Sequence, residues 1–155
     1  MVEQIARLPL FPPGSEVNRQ GRLSIGGCDM VKLAAGFGTP LYLFDELTLR
    51  RKCTELKSEF GRRYTSTAVI YACKAFINKA LLLLIMEEGL GLDVVSGGEI
   101  EIARSVGFPM DTISFAGNNK SAEELILALE SGVGRIVVDN FHELKMLGKI
   151  AKERR

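Results

Sequence analysis

Histidine is almost absent from this chain of 155 residues, which holds one, and cysteine is scarce at three. That scarcity removes the metal-centre readings. Cys28, Cys53 and Cys73 are widely spaced and odd in number, and they form neither the paired spacing of a zinc site nor a disulfide framework. Thiols left in this state predict a reducing compartment, the cytoplasm. An excess of charge of either sign is also missing: Lys and Arg number 20 against 19 for Asp and Glu, for a formal net charge of +1. No broad field therefore draws the chain to nucleic acid or to an anionic membrane surface. Nor is there a long apolar run, since the longest, Ala80 to Met86, falls far short of the roughly 20 residues that cross a bilayer as a helix. Met1–Arg7 carries an early acid and no apolar core, so it does not read as a secretory signal. No low-complexity linker interrupts the sequence.

What is present is an ordinary globular composition, 46% hydrophobic and 25% charged, which points to a sizeable core and small-molecule chemistry. Apolar strand-like segments alternate with helix-like ones at intervals of about 20 to 25 residues, the rhythm of βα units. Ala68–Cys73 is predicted as a first strand, followed by a helix over Asn78–Glu88 that Gly89 stops. Leu92–Val95 and a helix over Glu99–Val106, ended by Gly107 and the Phe108-Pro109 turn, form the second unit. Thr112–Ala116 opens the third, whose helix begins at the capping box Ser121-Ala122-Glu123-Glu124 and runs to about Ser131. Arg135–Val138, rich in β-branched residues, is the fourth strand, and Asp139 or Asn140 caps a last helix over Phe141–Lys152.

Ahead of these units, Leu8–Gly14 reads as an irregular, proline-rich lead-in. Asp29–Gly36 is predicted as a short helix. Gly38–Asp45 reads as a turn, a strand at about Leu41–Phe44 and a helix cap, and Glu46–Arg62 as helix. The expected fold class is α/β: about four βα units of a parallel sheet or barrel.

The chemistry-bearing residues fall on one side of this rhythm. Lys74, Asp93–Ser96, Gly117 and Asp139 all lie at or just after the C-terminal ends of strands, the end that carries active sites in βα barrels. Period-two alternation sets Ile70, Ala72 and Lys74 on one side, past a small alanine, and turns Tyr71 and Cys73 to the helical layer. A lysine amine there can form a Schiff base with an aldehyde cofactor. On spacing alone Lys74 reads first as a solvated strand-end lysine, Asp93 as a salt-bridge partner or cap, and Ser96-Gly97-Gly98-Glu99 equally as a second capping box. The Gly97–Gly98 amides form a weak anion seat, where no cofactor phosphate is placed.

Gly38-Thr39-Pro40-Leu41-Tyr42, Tyr71-Ala72-Cys73-Lys74-Ala75, Asp93-Val94-Val95-Ser96-Gly97-Gly98-Glu99 and Gly117-Asn118-Asn119-Lys120-Ser121 resemble, in order and spacing, the diaminopimelate decarboxylases. These belong to the barrel-type pyridoxal phosphate-dependent decarboxylases. The likeness runs from about Asp29 to the end of the chain, and the Gly117–Ser121 motif favours the diaminopimelate branch. One departure is Ala116, where many members carry histidine. The lone His142 reads as an exposed or packing residue on a helix.

The resemblance implies pyridoxal 5'-phosphate as cofactor, Lys74 as the lysine that binds it, Asp93 as an acidic residue beside that lysine, and Glu99 as a supporting residue. It implies decarboxylation of meso-diaminopimelate to L-lysine and carbon dioxide, in a cytoplasmic homodimer of the full-length protein. A complete barrel has eight units and about 250 residues, so the fold expected is the first half of a (β/α)8 TIM-like barrel. Residues 1–44 are then an N-terminal segment of a β-rich domain otherwise absent, and residues 45–155 the N-terminal half of the barrel. On this reading the chain is a fragment, inactive alone, and the phosphate loop, the acidic partner of the pyridine nitrogen and the acid–base residues lie beyond Arg155. The alternatives are an ornithine, arginine or carboxynorspermidine decarboxylase of the same fold, a non-catalytic pyridoxal phosphate-binding protein, or an α/β interaction module.

Overall fold

The computed structural model describes residues 10–154; Met1–Arg7, Leu8 and Pro9 of the lead-in, and Arg155 lie outside the described residues. The chain divides into two compact units, Met1–Glu55 and Leu56–Arg155.

The first unit holds a small antiparallel meander of β1 (Glu16–Val17), β2 (Leu23–Ile25) and β3 (Cys28–Asp29). Ile25 pairs with Cys28, so β2 and β3 are joined by the two residues Gly26 and Gly27. Both have positive φ, +56° and +78°, the condition of a tight hairpin turn that matches strand twist and that glycine meets without a Cβ clash. Asn18 closes the other turn, its Oδ1 accepting the Gln20 and Arg22 amides at 3.0 Å each. Helix α1 (Met30–Phe37) follows, capped by Asp29, whose carboxylate accepts the Val31 and Lys32 amides. These bonds hold the Asp29 carboxyl below its ordinary range, although desolvation is the largest influence and opposes them.

One expectation fails here. Leu41–Phe44 forms no strand; its four side chains are between 38% and 90% exposed. A strand exists only through a partner for its backbone groups, and the ladder of this unit is made by residues 16–29 instead. Helix α2 (Glu46–Gly61) then runs from Asp45, which accepts the Thr48 hydroxyl, through the boundary between the units.

The second unit is the predicted α/β layer. Strands β4 (Ile70–Ala72), β5 (Gly91–Val94), β6 (Ile113–Phe115) and β7 (Arg135–Ile136) pair in sequence order, all parallel. Helices α3 (Lys79–Glu87), α4 (Gly97–Ser105), α5 (Ala122–Glu130) and α6 (Phe141–Glu153) follow them in turn, giving four βα units. Their ends carry the local chemistry the sequence announces. Asn78, Ser96, Ser121 and Asn140 each accept an amide from the first turn of the helix they open, satisfying donors that have no intrahelical partner. Ser121 and Glu124 complete a reciprocal capping box.

Register divides the sheet into two faces. Leu92 stands beside Ile113 and Val94 beside Phe115, and all four are at most 1% exposed. Ile100 and Ala103 of α4 and Leu125 and Ala128 of α5 are fully buried with them, each large side chain contributing about 1.5–3 kcal/mol of transfer free energy. The opposite face carries Ala72, Asp93 and Ser114, which are neighbours in register. Backbone contacts across the strand starts are close. An added Cβ on Gly91 would lie 2.5 Å from the Thr112 carbonyl oxygen, and one on Gly134 only 1.9 Å from that of Asp111.

Candidate active site at the strand ends

In a parallel sheet all C-terminal strand ends share one edge. At this edge the structure gathers Lys74 after β4, Asp93 near the end of β5, Gly117 after β6 and Asp139 after β7.

Lys74 is reached differently from the sequence expectation. Strand β4 stops at Ala72, and Cys73–Ala75 turn as a single 3-10 helix. The period-two alternation that assigned Lys74 a direction therefore ends two residues before it. Lys74 is exposed, and makes no hydrogen bond or ion pair among the described residues. Asp93, half-buried, is the register partner of Ala72, so the carboxylate and the lysine belong to adjacent strand ends.

Cys73, beside Lys74, is 1% exposed. Burial pushes its thiol up to about 12, and the negative charges of Glu99 and Asp93 add to the shift. A thiol held neutral next to the lysine is neither a nucleophile nor a competing anion. The expected outcome with a thiol alkylator at pH 8, read by peptide mass, is that exposed Cys28 is modified and Cys73 is spared. Burial likewise raises Tyr71, whose hydroxyl donates to the Phe76 carbonyl at 2.8 Å and fixes the turn after Lys74.

The loops around this edge are held by three glutamates at equivalent places, each the third residue of its helix. Glu99 Oε2 accepts the Val95 amide at 2.6 Å, so the Ser96–Glu99 box is only half formed: the Ser96 hydroxyl accepts the Glu99 amide at 3.3 Å without the reciprocal bond. Glu124 accepts the Ser121 amide through Oε2 and the Gly97 amide through Oε1, at 3.0 and 2.8 Å. The weak anion seat at Gly97 is thus filled by the protein's own carboxylate, and an added Cβ there would come within 3.1 Å of Glu124 Cγ. Glu143 pairs with Lys120, Oε1 to Nζ 2.8 Å, with both side chains at most 4% exposed.

The sequence motif that contains Lys120 carries no sign of this buried pair. Its partner lies 23 positions away, and no local pattern joins them. The two lysines of the edge thus differ sharply: Lys120 is committed to Glu143 and to the Gly117 carbonyl, and Lys74 is not committed. His142 is exposed on α6, as read from the sequence.

A cavity of about 430 Å³ opens at the other end of the strands, lined by residues such as Ala68, Gly89, Pro109, Asp111 and Arg135. It lies at the strand starts, the end of a barrel that serves stability, and none of the strand-end residues lines it. Among the described residues no group of His, Cys, Asp and Glu is arranged to hold a metal ion, and no helix is long and apolar enough to cross a membrane.

Comparison with known proteins gives this geometry a family. Residues 46–155 match the family of pyridoxal-dependent decarboxylases at its pyridoxal binding domain. A diaminopimelate decarboxylase of Bacillus methanolicus is 48% identical over 144 residues, 93% of this chain and 33% of that protein. The chain therefore spans about a third of the length of the curated relatives it matches. Among solved structures, diaminopimelate decarboxylase from M. jannaschii in co-complex with L-lysine superposes with a TM-score of 0.81 at 35% identity, over 90% of this chain and 33% of that one. A lysine/ornithine decarboxylase complexed with putrescine from Vibrio vulnificus is more distant, with a TM-score of 0.68 at 26% identity over 77% of this chain and 32% of that one. Both solved relatives are decarboxylases of one barrel fold, and the parallel four-strand layer of this chain is a part of it. An exposed, uncommitted lysine amine at a strand end suits an aldehyde cofactor, and by its domain the chain belongs to the pyridoxal-dependent decarboxylases, whose cofactor is pyridoxal phosphate.

Proposed function

We propose that this chain carries the cofactor-holding part of a decarboxylase that converts meso-diaminopimelate to L-lysine and carbon dioxide. The observation that carries the reading is Lys74: a solvent-reachable amine at the end of β4, free of hydrogen-bonded partners among the described residues, within the family's pyridoxal binding domain. The reading extends to the whole protein, because the relatives are much longer than this chain.

Lys74 is assigned the covalent hold on the cofactor aldehyde and Asp93 the anionic partner on the neighbouring strand end. When bound, pyridoxal phosphate supplies an electron sink for the charge left as carbon dioxide departs. The residues of the chain prepare the place. Glu99 pins the Val95 amide just past Asp93, and neutral Cys73 leaves Lys74 the reactive group of its turn. The proton that replaces the lost carboxylate and the phosphate contacts are outside this assignment.

Residues 1–44 are read as part of a β-rich domain, in keeping with the β1–β3 meander, and residues 45–155 as barrel. The protein is read as a cytoplasmic homodimer acting on a free amino acid, with no nucleic-acid or membrane partner. The substrate assignment rests on the closer likeness to diaminopimelate decarboxylases, 35% against 26% identity for the lysine/ornithine enzyme. Its test is carbon dioxide release by the full-length protein from diaminopimelate, ornithine, arginine and carboxynorspermidine. Diaminopimelate is expected to be turned over in clear preference to the other three; preference for any of them overturns the assignment.

A further inference from the structure

The buried Lys120–Glu143 pair has no part in the chemistry assigned above, yet it sits at the same edge of the sheet. Lys120 leaves the loop after β6 and Glu143 stands in the first turn of α6, after β7. The ammonium has three neighbours: Glu143 Oε1 at 2.8 Å, the Gly117 carbonyl at 2.6 Å, and the Phe115 ring with its centroid 5.6 Å away. Glu143 is itself set in place by the Asn140 cap, which accepts its amide at 2.9 Å.

Such a pair is a costly way to gain stability, because desolvating both charges offsets most of their attraction, and an apolar pair of similar volume often serves as well. Its geometry offers something an apolar pair does not. Lys120 grips the carbonyl of Gly117, and Gly117, at φ +105°, passes so close to β5 that an added Cβ would lie 3.3 Å from the Val95 carbonyl oxygen. The amide of Ala116 donates to the Val94 carbonyl at 2.8 Å. On the far side of Val95, its own amide is held by Glu99. A continuous set of contacts thus runs from the start of α6, through the loop after β6, to the two residues that follow Asp93.

We propose that Lys120 and Glu143 are positioning residues for the cofactor end of the sheet. Their ion pair fixes how far the Ala116–Lys120 loop reaches over β5, and through Val94 and Val95 it fixes the place of Asp93 relative to Lys74. The proposal rests on the cofactor reading of Lys74 and Asp93. It extends that reading by assigning a role to two buried charges that touch neither cofactor nor substrate.

The test uses the full-length protein and two readouts, the melting temperature without cofactor and the dissociation constant for pyridoxal phosphate from absorbance titration. Lys120→Met alone strands a buried carboxylate and is expected to lower both stability and affinity. The deciding variant is Lys120→Met with Glu143→Leu. Removing both charges is expected to return the melting temperature close to that of the parent, while the dissociation constant stays raised by roughly tenfold or more, as a misplaced site demands. Parental affinity in the double variant overturns the proposal and leaves the pair as packing. If the double variant does not fold, Glu143→Gln decides, since it keeps the shape and weakens the grip: raised dissociation constant supports positioning, and an unchanged one overturns it. Failure of the underlying reading shows elsewhere, as a borohydride-reduced cofactor adduct that survives in Lys74→Ala.

Discussion

Lys74→Ala in the full-length protein is expected to lose covalent capture of pyridoxal phosphate. Borohydride reduction followed by peptide mass should find the cofactor on the peptide containing Lys74 in the parent and on no peptide in the variant. Decarboxylation should fall by about a thousandfold or more, the scale seen when a covalent group is removed from a working site. The geometry makes the loss specific. Lys74 is exposed at the strand end, whereas Lys120, the other lysine of that edge, is locked between Glu143 and Gly117 and has no freedom to replace it. Lys79→Ala, at the exposed first position of α3, should retain the adduct. An adduct persisting in Lys74→Ala would move cofactor attachment to a different lysine and sink the site as drawn.

The second large effect is on stability and comes from a residue with no side chain. Gly134→Ala would set a methyl carbon 1.9 Å from the Asp111 carbonyl oxygen and 2.6 Å from its carbon. Both are backbone atoms, which cannot step aside as the tip of a side chain can. The Gly134 amide also donates to the Met110 carbonyl at 3.0 Å, so any retreat breaks the contact that brings the chain into β7. Destabilisation on the order of 3 kcal/mol is expected, the upper range for forced overpacking, visible as a lowered midpoint in urea unfolding. Gly148→Ala is the matched control. Nothing lies within 4 Å of its would-be Cβ, and it sits within α6, so it should stabilise by about 0.5–1 kcal/mol. Equal midpoints for the two variants would contradict the close approach at Gly134.

Most of the α/β layer was legible in the sequence because its signals are local. Polar caps at Ser96, Ser121 and Asn140, and stops at Gly89 and Gly107, each act within a few residues, and the helices begin and end within about two positions of where those residues say. The strands are shorter than their composition suggests. Ala68–Cys73 shrinks to Ile70–Ala72 and Arg135–Val138 to Arg135–Ile136, since a strand lasts only as far as its neighbour's ladder, which no single segment specifies. The meander of residues 16–29 is not legible in the sequence because strands of two or three residues carry no measurable alternation; Gly26-Gly27 is its visible sign. Leu41–Phe44 is the opposite case, strand-like in composition, while the ladder among the described residues of its unit runs through residues 16–29.

The candidate site divides along the same line. Lys74 and Asp93 stood out because strand ends are predictable from the rhythm around them. The buried pair of Lys120 and Glu143 does not, because it forms only where the loop after β6 meets the first turn of α6, 23 positions on.

The three glutamates at the third place of α4, α5 and α6 also bear on how such barrels can be recombined. Each occupies the same local address, yet Glu99 serves its own unit, Glu124 serves its own and the one before, and Glu143 serves only the one before. The βα unit is therefore not the exchangeable module its repetition suggests. A chimaera joined between Lys120 and Glu143 inherits a cation from one parent and must find its anion in the other, so the natural cassette for grafting here overlaps two units instead of ending between them.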